Sequence, residues 1–259
     1  MSLEPLSTPA SPPRPIGPLR RVADLFLPPL CLGCGTRLDA HATLCAACWR
    51  ALDFIEPPLC PISGLPFAYD PGPGALHASV VAEAPPYQAA RFALRYNDAA
   101  ARLVSRLKYG DRGEAVPLFA RLMARAGQQI ADGVDLVLPV PLHPTRLRQR
   151  RFNQSAELAR ALAPRLGLPV AVDVVERHRA TPRQVGLTRT QRKRNVRGAF
   201  RLCPGQGEKV RDKTLLLVDD VVTTGATIEA CARALAREGA AEIRVLALAR
   251  VVPGEASLI

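Results

Sequence analysis

The chain has 259 residues, 48% of them hydrophobic and 22% charged, which allows one large domain or a medium domain with a small one beside it. No run of about 18 uncharged apolar residues occurs, which excludes a membrane-spanning helix. The formal net charge is +12, and the segment from Arg146 to Arg201, with fifteen Lys and Arg against Glu157, Asp173 and Glu176, carries that whole excess.

Residues 1–18 are rich in proline and lack the apolar core of a signal peptide, so a disordered leader is expected. Leu19 to Pro29 has the pattern of a short amphipathic helix. Next come Cys31-Leu-Gly-Cys34 and, after ten intervening residues, Cys45-Ala-Ala-Cys48. Two such pairs offer Cys31, Cys34, Cys45 and Cys48 as a closed tetrahedral set for a structural Zn2+. In a chain without a secretory signal this reading outweighs disulfides, and leader and thiols together point to the cytoplasm. Cys60 opens what would be a further pair, but Ser63 stands at its second position. Cys60 is therefore read as a small buried thiol, with a spare metal role left open.

Regular patterning begins after Pro86. Ala89 to Tyr96 reads as a strand, Ala99 to Lys108 as a helix, and Glu114 to Ile130 as a longer helix with a core-facing stripe. Val134 to Val140 reads as a buried strand, followed by a loop that carries Arg146, Arg148, Arg150 and Arg151 before a helix starts near Asn153. A crowd of arginines after a strand end suits an anionic ligand. Val170 to Val175 reads as a strand. The stretch that follows, to about Thr188, reads as a long loop of the kind that serves as a lid, and it leads into a basic helical turn around Arg192, Lys193 and Arg194. Phe200 to Leu202 reads as a short strand and Pro204 to Lys209 as a hairpin tip.

The most informative stretch is KTLLLVDDVVTTGATIEA, from Lys213 to Ala230. Four apolar residues (Leu215 to Val218) end on Asp219 and Asp220, and a Thr/Gly turn then opens a helix. Thr223, Thr224 and Thr227 supply hydroxyls, Gly225 allows close backbone approach, and the helix start, with Ala226, presents amide N–H groups. Together these suit one phosphate. Asp219 and Asp220 can accept hydrogen bonds from sugar hydroxyls or lie near Mg2+, which prefers oxygen ligands. A sugar phosphate is the expected ligand. Glu242 to Arg250 completes the chain with a final strand. Strands alternating with helices from Val134 onward predict an α/β fold with a mostly parallel sheet.

The acidic pair followed by TTGxT resembles the phosphoribosyl pyrophosphate (PRPP) signature of type I phosphoribosyltransferases. The ordered set of a four-cysteine ribbon, RFNQSAELA, TPRQVGLTRTQRKRNVRGAF and LLLVDDVVTTGAT is similar to the ComF family, in which a zinc ribbon precedes a phosphoribosyltransferase domain. The resemblance implies a ribbon region at 19–80 and a transferase-like domain at 81–259. It implies ribose hydroxyls and Mg2+ on Asp219 and Asp220, the 5'-phosphate on Thr223, Thr224, Gly225, Ala226 and Thr227, and pyrophosphate facing Val140, Pro141, Leu142, His143 and Arg146. Thr181, Gln184 and Leu187 would form a flexible hood. Family membership further implies a part in DNA uptake and natural transformation, with single-stranded DNA bound on the basic residues Arg148, Arg150, Arg151, Arg192, Lys193 and Arg194. Stacking aromatics are sparse there, with only Phe152 and Phe200 between 143 and 201. Two other functions remain open: an active Mg-dependent phosphoribosyltransferase on a nitrogenous acceptor, for which no general base is evident, and an adaptor whose fold only binds a regulator.

Overall fold

A computed structural model describes residues 28–109, 112–150, 152–181 and 188–252. The leader, most of the helix expected from Leu19, and the hood residues Gln184 and Leu187 lie outside them.

The N-terminal part is built of tight turns and two five-residue helices, α1 (Ala46–Arg50) and α2 (Ala78–Ala82). It docks on the rest through Leu32 and Leu52, which are buried with Leu94, Leu103 and Phe119 in one apolar cluster. Arg121 adds a hydrogen bond to the Ala42 carbonyl at 2.9 Å.

The remainder follows the order β1 (Ala89–Arg95), α3 (Asp98–Tyr109), α4 (Arg112–Ala131), β2 (Leu136–Pro139), α5 (Pro144–Arg150), α6 (Gln154–Leu166), β3 (Val175–Arg177), α7 (Arg189–Val196), β4 (Phe200–Leu202), β5 (Thr214–Val222), α8 (Ala226–Arg237) and β6 (Glu242–Arg250). Strands β1, β6, β5 and β2 form one parallel sheet in that order. A parallel sheet needs both faces covered. On β5, Leu216 and Val218 join the cluster that contains α4 and α6 residues, while Leu215 and Leu217 join the one that contains α8 residues. This two-faced burial explains why the strand reads as an unbroken apolar run.

Helix α4 comes close enough to the sheet that a Cβ on Gly127 would stand 2.4 Å from Leu246 Cδ2. Since Leu246 is itself fully buried, a larger side chain forces repacking rather than a simple rotamer shift. Gly127→Val is expected to lower stability by about 1–3 kcal/mol, read as a reduced urea midpoint at unchanged slope.

Three expected elements differ. The arginines after β2 form a helix, α5, rather than a loop. His143 Nδ1 accepts the Thr145 amide at 3.2 Å as a cap, Pro144 takes the first helical position, and the Arg, Leu and Gln that follow are good helix formers. The strand expected at Val170–Val175 is split: Val170 makes a single parallel bridge to Val137, and pairing resumes only at Val175 in an antiparallel ladder with β4. The hairpin tip near Pro204 is a 3-10 turn over Gly207–Lys209, because β4 pairs with β3 while β5 enters the main sheet.

Candidate functional site

Strand β5 does not stop before the acids; it runs through them to Val222, with Asp219 opposite Ala247 and Val222 opposite Arg250 of β6. The β-branched Val221 and Val222 extend the pairing, so both carboxylates sit on rigid backbone. Asp219 is 9% exposed, and its Oδ1 accepts the Ser155 hydroxyl at 2.8 Å and the Asp220 amide at 2.9 Å. Asp220 Oδ1 accepts the Val221 amide at 2.8 Å.

The chain then turns through Thr223 and Thr224 to Gly225, whose φ of +86° lies in the left-handed region. A side chain there is strained by that φ, and its Cβ would approach Glu229 Oε1 at 3.2 Å. Helix α8 starts immediately after, so the amides of Ala226 and Thr227 belong to its first turn and present the positive end of the helix dipole.

These groups line a cleft of about 280 Å3 outside the carboxyl ends of β5 and β2, where open α/β sheets take their ligands. Val140, Pro141, Leu142 and Arg146 form the opposite wall. His143 is absent from that lining and caps α5 instead. Arg146 donates to the Thr181 carbonyl at 3.3 Å, which ties the α5 arginine to the start of the expected hood.

The cleft is also lined by residues that the sequence did not mark for it, among them Gln154, Ser155, Arg177 and Arg192. The Phe-Asn-Gln-Ser turn explains two of them. Asn153 caps α6 by accepting the Ser155 amide at 3.1 Å while its Nδ2 donates to the Val140 carbonyl at 3.1 Å. One side chain thus locks the α6 start to the end of β2, placing Gln154 in the cleft and Ser155 on Asp219. Arg177 ends β3 at 4% exposed, stacks 5.4 Å from the Phe200 ring centroid and donates to the Thr181 hydroxyl. Burial, with the neighbouring Arg146 charge, brings its guanidinium down to about 10 against the opposing pull of Asp219, so it stays charged at neutral pH. Arg192 Nη1 donates to Thr223 Oγ1 at 3.1 Å. A cleft with guanidinium groups, a helix start and two carboxylates suits a ligand that carries both phosphates and a diol.

The six residues expected on a nucleic-acid surface do not act alike. Arg192 enters the cleft. Lys193 pairs with Glu83 and, at 3.5 Å, with Glu229. Arg148 and Arg194 are exposed. The Arg150 side chain and Arg151 lie outside the described residues.

The four thiols of Cys31, Cys34, Cys45 and Cys48 converge, with every Sγ within 4.8 Å of the others and Cys34 to Cys45 at 3.7 Å. Zinc–sulfur bonds in a tetrahedron place sulfurs about 3.8 Å apart, so the set fits. The Thr36 hydroxyl, with its amide and the other thiols, pulls Cys34 down to about 6, while burial and the three other thiols push Cys48 up to about 12. Four thiolates need a cation among them, and a bound zinc supplies that charge and cross-links the two turns.

Comparison with known proteins finds two domain models along the chain. A double zinc ribbon domain model matches residues 22–79, and a phosphoribosyl transferase domain model matches residues 153–255. The DNA utilization protein YhgH of Salmonella typhimurium is 36% identical over 235 residues, covering 88% of this chain and 100% of that protein. Its Escherichia coli K12 counterpart is 34% identical over 238 residues with the same coverage, and Competence protein F of Haemophilus influenzae is 35% identical over 116 residues, covering 45% of this chain and 50% of that protein. With both domain models in order along the chain and near full-length relatives above 30% identity, the chain belongs to the ComF family.

Proposed function

We propose that the chain binds PRPP in the β5–α8 cleft and serves the uptake or use of external DNA, holding single-stranded DNA on its arginine-rich side. The observation that carries this reading is the acidic pair fixed by Ser155 beside the Gly225 turn, with Arg192 reaching Thr223. In this reading Asp219 and Asp220 take the ribose hydroxyls. Thr223 to Thr227 and Arg192 take the 5'-phosphate, and Val140 to Leu142 with Arg146 face the pyrophosphate, with Arg177 as a fixed charge behind it. Thr181, Gln184 and Leu187 would close over it as a hood. The oxygen donors of the acidic pair suit Mg2+, which would bring in the pyrophosphate and screen its charge. His143 drops out of the site in favour of its capping role.

The DNA part rests on the names of the relatives and on the +12 charge. We divide the chain at about residue 80 into ribbon and transferase-like regions, and seven unpaired cysteines favour a reducing cytoplasmic setting. An active Mg-dependent phosphoribosyltransferase is the second reading, supported by the guanidinium groups of Arg146 and Arg177 in the cleft lining, which would stabilise a departing pyrophosphate.

Calorimetric titration of the full chain with PRPP and Mg2+ tests the first part, with one site per chain expected; no heat and no thermal shift would sink it. Arg192→Ala should weaken PRPP about tenfold through loss of one charge-assisted contact. Fluorescence anisotropy with a labelled single-stranded oligonucleotide tests the second: affinity should fall steeply with salt and fall again in Arg148→Ala/Arg194→Ala. Binding that ignores both removes the DNA role from this surface. Pyrophosphate release on adding nucleobases decides for the transferase.

A further inference from the structure

Residues 58–83 repeat the backbone of the zinc ribbon at 29–51. In the first turn the Cys31 amide donates to Thr36 O at 2.8 Å, the Gly35 amide to Cys31 O at 2.9 Å, and the Leu38 amide to Pro29 O at 2.8 Å. In the second, the Cys60 amide donates to Leu65 O, the Gly64 amide to Cys60 O, and the Phe67 amide to Pro58 O, each at 2.9 Å. Leu30 bridges Arg37 as Leu59 bridges Pro66. Both turns place a glycine in the left-handed region, Gly35 at φ +79° and Gly64 at φ +64°.

Each turn is answered by a five-residue helix, α1 or α2, whose capping residue sends its amide to the first cysteine's sulfur: Cys45 to Cys31 Sγ at 3.2 Å, His77 to Cys60 Sγ at 3.4 Å. Four residues on, Trp49 N donates to Cys45 O and Val81 N to His77 O. The correspondence sets Cys60 on Cys31, Ser63 on Cys34, His77 on Cys45 and Val80 on Cys48.

The ligands are what changed. Cys60 remains, fully buried, with the Ser63 amide at 3.5 Å as a second donor to its sulfur. Ser63 offers a neutral hydroxyl, which accepts the Leu65 amide at 3.4 Å. His77 has its Nδ1 engaged at its own helix start, by the Ser79 amide at 3.2 Å and the Ser79 hydroxyl at 2.8 Å. Val80 is 6% exposed and has no lone pair to give. One thiol and one engaged imidazole do not close a tetrahedral zinc site. The family's double zinc ribbon therefore fits this chain's residues once and not twice.

Something else must hold the second turn, and the sheet supplies it. Gly64 lies so close to β1 that a Cβ would fall 2.2 Å from Ala90 O, and Arg91 Nη1 donates to Pro61 O at 3.1 Å. Leu65 is 2% exposed. Docking on a rigid strand confines the turn as a bound ion would.

We infer that the second ribbon is a metal-free copy of the first, held by the Cys60 hydrogen bonds, the buried Val80 and its contact with β1, and that it remains a dormant zinc site which the ligand set of the first ribbon reopens. The inference does not depend on what the cleft binds.

Zinc content of the purified full chain, counted by plasma mass spectrometry after extensive dialysis, tests it. Wild type should hold one zinc per chain, Cys31→Ser none, and Cys60→Ala still one with unchanged PRPP binding. The triple variant Ser63→Cys/His77→Cys/Val80→Cys should hold two. Two zinc ions in wild type, or loss of zinc in Cys60→Ala, would overturn the inference. So would a triple variant with a wild-type circular dichroism spectrum that still holds one. If the triple variant does not fold, wild type and Cys60→Ala decide by themselves.

Discussion

Asp219→Asn/Asp220→Asn is expected to lose at least about 100-fold in PRPP affinity while keeping its fold. Asparagine keeps an oxygen where Ser155 and the Asp220 amide donate to Asp219, and it keeps one where Val221 donates to Asp220, so the strand end retains its hydrogen bonds. What disappears is charge. A hydrogen bond to a charged group contributes about 1.5–3 kcal/mol, and two lost together give about 3–6 kcal/mol, or two to four powers of ten. A second effect adds to it: Asp219 opposes the desolvation of Arg177, so neutralising it leaves a buried guanidinium less compensated. Calorimetry should show the lost affinity, and a melting curve should show a smaller decrease in stability than the loss in binding. Wild-type affinity in the double variant would move the ribose site elsewhere in the cleft. Ser155→Ala serves as the comparison, since Ser155 positions Asp219 and its removal should weaken binding only several-fold.

The acidic pair, the Thr/Gly turn and the cysteine set were legible as local features because each is carried by a short run or a regular spacing of residues. Partners brought in from a distance were not. Ser155 lies 64 residues before the carboxylate it holds, and nothing near it in sequence marks it as more than a helix-start residue. Arg177 looks like one arginine among many until β3 ends against Phe200 and buries it.

That Arg192 lines the cleft was not legible for a different reason. In the run Arg192-Lys193-Arg194, charge alone gives no direction. The phase comes from the box in which Thr188 and Gln191 cap α7 reciprocally; it sends Arg192 to Thr223 and Lys193 to Glu229, and leaves Arg194 outside. That Thr-x-x-Gln signal was present in the sequence. So was Pro144, whose place at a helix start marks Arg146 to Arg150 as helical rather than loop. The ribbon repeat was legible only in part, in Pro28-Pro29-Leu30-Cys31 against Pro57-Pro58-Leu59-Cys60, because three of the four ligand positions in the second copy no longer carry cysteine.

Removing the zinc should have the largest effect on stability. In Cys45→Ser the chain is expected to lose its zinc, because three thiols and a hydroxyl no longer present four thiolates. Helix α1, only five residues long and capped by Cys45, loses the cross-link to the first turn, and so short a helix is marginal in water unless its surroundings hold it. Its release uncovers Leu32 and Leu52, 1% and 7% exposed in the folded chain. At about 1.5–3 kcal/mol for each buried leucine, the ribbon's docking is worth about 3–6 kcal/mol to the whole. Hydrogen exchange should then rise across 29–51. The second ribbon should keep its protection, because its turn leans on β1 and not on a metal. PRPP binding should survive within about twofold, since the acids, the Gly225 turn and Arg192 are held by β5, α6, α7 and α8. Exchange that rises equally in both ribbons would show that one metal organises the two as a single unit, and a zinc-loaded Cys45→Ser protein would show that Cys45 is not a ligand.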